Sequence, residues 1–137
     1  MDLTHLYIAD STIPGSGKGL FTGEQIEKGT IIIEYTGDVT DWESVRYDVS
    51  NVYIYYINDN YVINAKERPE AIARYANDAH GVTRIKGLNN NSRFVNLRGK
   101  IFIKSTRLIR AGAEVLLNYG KGYWETVRKN KNASSGK

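Results

Sequence analysis

Short apolar runs, broken every few positions by glycine, asparagine or charge, recur along this chain and predict strands rather than helices. Leu3 to Ala9 is the first such run. The turn-rich stretch Pro14 to Gly19 follows, after which Leu20-Phe21 resumes an apolar segment. Glu27-Lys28-Gly29 reads as a hairpin turn into Thr30–Tyr35, a β-branched strand stopped by Thr36-Gly37. Asp41 to Asp48 reads as a short helix or an irregular insert. Val52 to Ile57 and Tyr61 to Ala65 read as a hairpin across Asn58-Asp59-Asn60. Pro69 suits the first turn of a helix that carries Ile72 and Ala76 on one face and ends near Asn77. After a Gly/Asn-rich loop over 78–92, Arg93–Leu97 and Lys100–Ser105 pair across Arg98-Gly99.

Val115 to Leu117 has the length and composition of a buried strand. It delivers Asn118 and Tyr119 to a turn containing Gly120 and Gly122, with Tyr123 and Trp124 just beyond. A short last helix is expected over Trp124–Asn130 and a frayed basic tail over 131–137. Many short strands, little helix and no alternation of strand with helix argue against a doubly wound nucleotide-binding sheet.

Composition narrows the chemistry. At 137 residues the chain is expected to form one domain over residues 1–130. Cysteine is absent, so disulfides and cysteine-based zinc sites are excluded. With His5 and His80 the only histidines, a catalytic metal would depend on carboxylates, and no metal is expected. No apolar run approaches bilayer length and Met1-Asp2-Leu3 does not open a signal peptide, so a soluble, intracellular protein is expected.

The net charge of +4 conceals a division. Residues 1–65 hold three basic and ten acidic side chains, whereas residues 66–110 hold eleven basic and three acidic ones. Either the molecule is bipolar, with an acidic half facing a basic partner, or the halves interleave and neutralise each other.

Gly17-Lys18-Gly19 alone is a weak signal, because most such turns only turn. It is not a Walker loop, which needs Ser or Thr after the lysine. Asn77 taken alone is a helix terminator and Asp78 a solvated loop residue. Together, though, SGKGLF, EYTGDV, YVINA, ARYANDA and EVLLNYGKGYW occur in an order and spacing that resemble the SET domain family of protein lysine methyltransferases, over roughly residues 6 to 125. The length and lack of cysteine are similar to its minimal viral or microbial type.

The resemblance implies a mainly β fold of several small curved sheets and short helices, in which the segments ending at Asn77 and Tyr119 meet in a pseudoknot-like crossing. It implies S-adenosylmethionine as cofactor, touched by the Lys18-Gly19 backbone and by Arg74, Asn77, Asp78 and Tyr119, with Trp124 or Tyr123 over the adenine. Tyr119 matches the family's catalytic tyrosine, and Tyr35 a tyrosine lining the lysine channel. Two positions depart from the family pattern: Asp78 stands for a usual His and Asn118 for a usual Asp. The asparagine that commonly follows is expected among Asn89 to Asn91. Pairing of two protomers is expected as in other stand-alone members.

These residue types suit methyl transfer from a sulfonium to an amine. The step asks for alignment rather than a strong base. An aromatic channel strips water from the lysine and disfavours its ammonium form, while phenol and carbonyl oxygens hold the amine and the polarised methyl through weak C–H···O contacts. Of ten tyrosines, Tyr35 and Tyr119 are the primary candidates, with Tyr61 a further substrate-facing one. Leu117 stands where the family often has Phe or Tyr; an aliphatic side chain there cannot hold a water, so di- or trimethylation is expected.

Asp38, with Glu34, Asp41, Glu43 and Asp48, flanks the Tyr35 strand and is expected either to line a groove for a basic substrate, such as a histone tail in chromatin, or to form an ordinary solvated face. The competing reading is a SET-like module without catalysis that binds a basic peptide or nucleic acid.

Overall fold

A computed structural model of the chain describes residues 3–48, 53–79 and 87–119. It forms two compact units, one of Met1–Tyr35 with Tyr75–Tyr119 and one containing Thr36–Arg74.

In the first unit, β1 (Leu6–Asp10) and β2 (Lys18–Thr22) pair antiparallel across the glycine-rich turn. Gly15 and Gly17 hold φ of 79° and 65°, backbone conformations that glycine adopts without penalty. A second sheet runs β3 (Ile31–Glu34), β8 (Lys100–Ser105), β7 (Ser92–Leu97) and β9 (Leu117–Asn118) in spatial order. The β7–β8 hairpin turns at Arg98 and Gly99, as expected, both with positive φ. Glu27-Lys28-Gly29 is not a hairpin turn. β2 pairs with β1 and β3 with β8, so this turn carries the chain from one sheet to the other. Ile26 bridges Ile109 and Gly29 N–H donates to Ser105 O, fixing the connection on both sides.

The run at Val115–Leu117 is as buried as expected, but it is shared among three neighbours rather than paired along one strand. Glu114 bridges Phe21 of β2 antiparallel, Leu116 bridges Asn77 parallel, and Leu117 pairs with Ser92 of β7 parallel. Leu20, Ile101, Ile103, Ile109, Val115 and Leu117 supply the fully buried apolar volume of this unit.

In the second unit, β4 (Asp38–Thr40), β6 (Tyr61–Asn64) and β5 (Ile54–Asn58) form a three-stranded antiparallel sheet. A single helical turn, α1 (Trp42–Val45), is capped by Asp41, whose carboxylate accepts from Ser44 N–H at 2.8 Å. The expected helix after Pro69 is only a 3₁₀ turn, η1 (Ile72–Tyr75). Ala71 N–H reaches Arg68 O and Arg74 N–H reaches Ala71 O, the i to i−3 spacing of the tighter coil. The backbone must leave this coil by Asn77 to make its bridge to Leu116, which overrides local helical preference. The last helix and tail expected beyond Tyr119 lie outside the described residues.

Candidate active site

Residues 76–79 and 114–119 run side by side in the first unit. Leu117 N–H donates to Asn77 O at 2.7 Å, and Tyr119 N–H donates to the Asp78 carboxylate at 3.0 Å. The Tyr119 hydroxyl donates to Ala76 O at 2.5 Å. Thus the phenol spends its proton on a backbone carbonyl and presents its lone pairs as acceptors.

The Tyr119 ring lies over Phe94 of β7, with centroids 6.4 Å apart and planes 28° from parallel. Tyr35, buried at the end of β3, meets the same Phe94 edge-on at 5.5 Å. Phe94 therefore joins the two tyrosines singled out from the sequence. The sequence does not mark Phe94, because its own run gives no sign of which residues lie across the sheet from it.

Asn77 looks the other way, toward β2. Its Nδ2 donates to Lys18 O at 3.0 Å and lies 3.4 Å from Glu114 Oε2. Glu114 is 5 % exposed. Its carboxylate also accepts from Ser11 Oγ at 2.8 Å, Thr12 N–H at 2.9 Å and Thr12 Oγ1 at 2.6 Å. Four donors from two chain segments, residues 11–12 and residue 77, converge on one side chain, which gives this buried carboxylate the partners it needs. A Cβ built on Gly19 would lie 2.2 Å from Glu114 Oε2 and 3.3 Å from Ser11 Cα, so glycine is required where β2 passes this hub. The available signal for Glu114 was its position as the one charge in 111–120, beside a buried run. Lys18 contributes its carbonyl, while its ammonium is engaged by Asp10 at 2.6 Å, which holds the Asp10 carboxyl below its ordinary range.

The segment before β7 is clamped by amides. Asn90 donates to Asp78 Oδ1 at 2.7 Å and accepts from Ala79 N–H at 2.7 Å. Asn91 brackets the 114–116 backbone, donating to Glu114 O and accepting from Leu116 N–H, each at 2.9 Å.

A model of the SET domain matches residues 17–120. The chain belongs to the SET domain family. It is 26% identical over 121 residues to N-lysine methyltransferase KMT5A-A of Danio rerio, a match covering 79% of this chain and 33% of that protein. The chain thus spans about a third of the length of this curated relative. Among solved structures it resembles the methyltransferase domain of human PR domain-containing protein 2, with a TM-score of 0.63, 25% identity, and coverage of 83% of this chain and 76% of that one.

In this SET domain the unusual Asp78 is 7 % exposed, and its two oxygens join Asn90 to the Tyr119 backbone. Its side chain works as a clamp. Leu117, at 0 % exposed, precedes Tyr119 by two positions. The remaining candidates fall elsewhere. Arg74 belongs to the second unit, where its guanidinium donates to Ala65 O at 3.0 Å and Lys66 O at 2.8 Å and lies 4.6 Å from the Tyr53 ring centroid. Asp38 and Tyr61 also belong to that unit, on β4 and β6. Trp124 and Tyr123 lie outside the described residues.

Within the second unit the acidic run is largely neutralised. Asp38 pairs with Arg68, Asp48 with Lys66 and Glu43 with Arg46. Here the two charge classes interleave, as one of the two readings of the charge pattern required.

Among the described residues no three His, Cys, Asp or Glu side chains gather as metal ligands, and no helix is long and apolar enough to cross a membrane.

Proposed function

We propose that the chain is an S-adenosylmethionine-dependent protein lysine methyltransferase, with the lysine offered by a basic protein such as a histone tail. The observation that carries this is the junction of the Asn77 and Tyr119 segments inside a SET domain. The residues suit the cofactor. Asn77 directs its amide nitrogen to Lys18 O and Glu114, which leaves its Oδ1 as the acceptor for an ammonium group. Gly17, with no atom within 4 Å of a Cβ position, allows close approach to the turn. Lys18, Gly19, Asn77 and Asp78 would hold the amino-acid and adenine ends, with Arg74 and Trp124 as the further candidates.

When bound, the cofactor supplies an electrophilic methyl on a sulfonium. The chain's own work is alignment and desolvation. Tyr35, Phe94 and Tyr119 form an aromatic wall that disfavours a charged lysine. The Tyr119 oxygen, its proton held by Ala76 O, accepts from the amine or from the polarised methyl. In-line positioning of this kind accounts for about 7–11 kcal/mol of a bimolecular barrier at its best. Leu117 offers no hydroxyl to hold a water, which supports di- or trimethylation, and Tyr61 and Asp38 are the proposed substrate contacts of the second unit. A histone substrate would make the protein a chromatin enzyme.

The test is incubation with methyl-labelled S-adenosylmethionine and a panel of histones, read by mass spectrometry, beside calorimetry with the cofactor alone. Label on lysine, rising beyond one methyl on long incubation, is expected. Absence of both label and binding heat would overturn the proposal, and an exclusively monomethyl product would overturn the role given to Leu117.

A further inference from the structure

The register of β7 and β8 sets Arg93 opposite Lys104, Val95 opposite Phe102 and Leu97 opposite Lys100. Side chains alternate across a sheet. Ser92, Ile101, Ile103 and Ser105 are buried on one face, so Arg93, Val95, Leu97, Lys100, Phe102 and Lys104 share the other. Arg93 and Lys100 are exposed there, Leu97 is 46% exposed, and Phe102 and Lys104 are half-buried.

This arrangement is unfavourable for the fold taken alone, since like charges directly opposite on a ladder repel. Among the described residues none of Arg93, Lys100 or Lys104 meets a carboxylate, whereas Lys18, Arg46, Lys66 and Arg68 all do. Glu34, opposite Phe102 on β3, is the acidic neighbour on this face and offsets one of the three cations.

We propose that this face binds single-stranded nucleic acid. Along β8 the order is cation, ring, cation, with successive members two residues or about 6.8 Å apart. An aromatic ring between cations matches a strand that alternates bases with phosphates, because a base can stack on the ring while its flanking phosphates meet the cations. A duplex keeps its base faces covered and can use only the cations. An acidic peptide likewise uses the cations and has no base to lay on Phe102. The proposal is independent of methyl transfer, because these side chains lie on the face opposite Phe94.

The test uses the full chain and fluorescence anisotropy with labelled single-stranded DNA and RNA, the matching duplex, and an acidic peptide of equal charge. Single strands should bind tightest, with log K falling against log salt at a slope of about −2 for three phosphate contacts. The double exchange Lys100→Glu with Lys104→Glu should weaken binding by about tenfold or more and flatten that slope. Phe102→Leu, which keeps apolar volume, should weaken single-strand binding several-fold with the slope unchanged. Thermal melts and cofactor calorimetry check that each variant is folded. Five basic side chains in 121–137 are untouched by these exchanges, so binding left undiminished by the double exchange lies off this face and overturns the assignment. Equal or tighter binding of the duplex or the acidic peptide overturns it too.

Discussion

The two units use charge in opposite ways. In the second, ionic groups lie on the surface and answer one another. Arg68 and Asp38 have side chains 51% and 45% exposed, and Lys66 meets Asp48 at 3.2 Å. In the first, the charged groups that matter are buried and serve the backbone. Glu114 gathers Ser11, Thr12 and Asn77, more than a hundred residues of chain separating it from the first two. Asp78 joins Asn90 to Tyr119. Exposed pairs gain little because water screens both partners. A buried carboxylate with several donors fixes geometry, since each donor it releases is left without water. Polar networks therefore define the site in the first unit, and exposed pairs decorate the sheet of the second.

Removing the Glu114 hub should break that comparison most severely. Glu114→Ala leaves the donors of Ser11, Thr12 and Asn77 without their acceptor at once and should cost about 3 kcal/mol or more in denaturant unfolding, with cofactor affinity falling in parallel. Gly19→Ala forces a methyl into the same carboxylate and into Ser11, at a cost of about 1–3 kcal/mol. Both losses should appear in calorimetry with the cofactor as well as in melts. For the second unit, Arg68→Ala should shift the melt far less than Glu114→Ala does, and less still in high salt. A loss as large as that of Glu114→Ala would erase the distinction.

The smallest effect concerns pH. Asp10 is held below its ordinary value of 3.8 by its hydrogen bond from Lys18, and Asp41 by those from Ser44. A depressed carboxyl contributes stability that is fully present above 3.8 and is lost as pH falls through the lower folded-state value. Acid titration should thus show a shallow, salt-sensitive decline in this window, with Asp10→Asn and Asp41→Asn each removing part of it.

How far these features were legible in the sequence follows the same division. The β5–β6 and β7–β8 hairpins were readable because Asn58-Asp59-Asn60 and Arg98-Gly99 carry their turn chemistry locally. Asn77 and Tyr119 were found by resemblance, and Tyr35 with them. The asparagines at 89–91 were expected from the same resemblance, whereas Phe94 and Glu114 acquire their roles only through partners brought from elsewhere in the chain. No local periodicity encodes such pairings. The helix expected after Pro69 failed for the same reason: the bridge from Asn77 to Leu116 constrains that backbone from outside its own window.

The central claim is that the Tyr119 hydroxyl acts on the transfer step and the Asn77 side of the junction on binding. Tyr119→Phe keeps the ring against Phe94 and removes only the oxygen. Measured together by single-turnover methylation and cofactor calorimetry, this variant should lose about a hundredfold or more in kcat while its cofactor Kd moves by less than about threefold. Undiminished turnover, or a loss confined to cofactor affinity, would contradict the account.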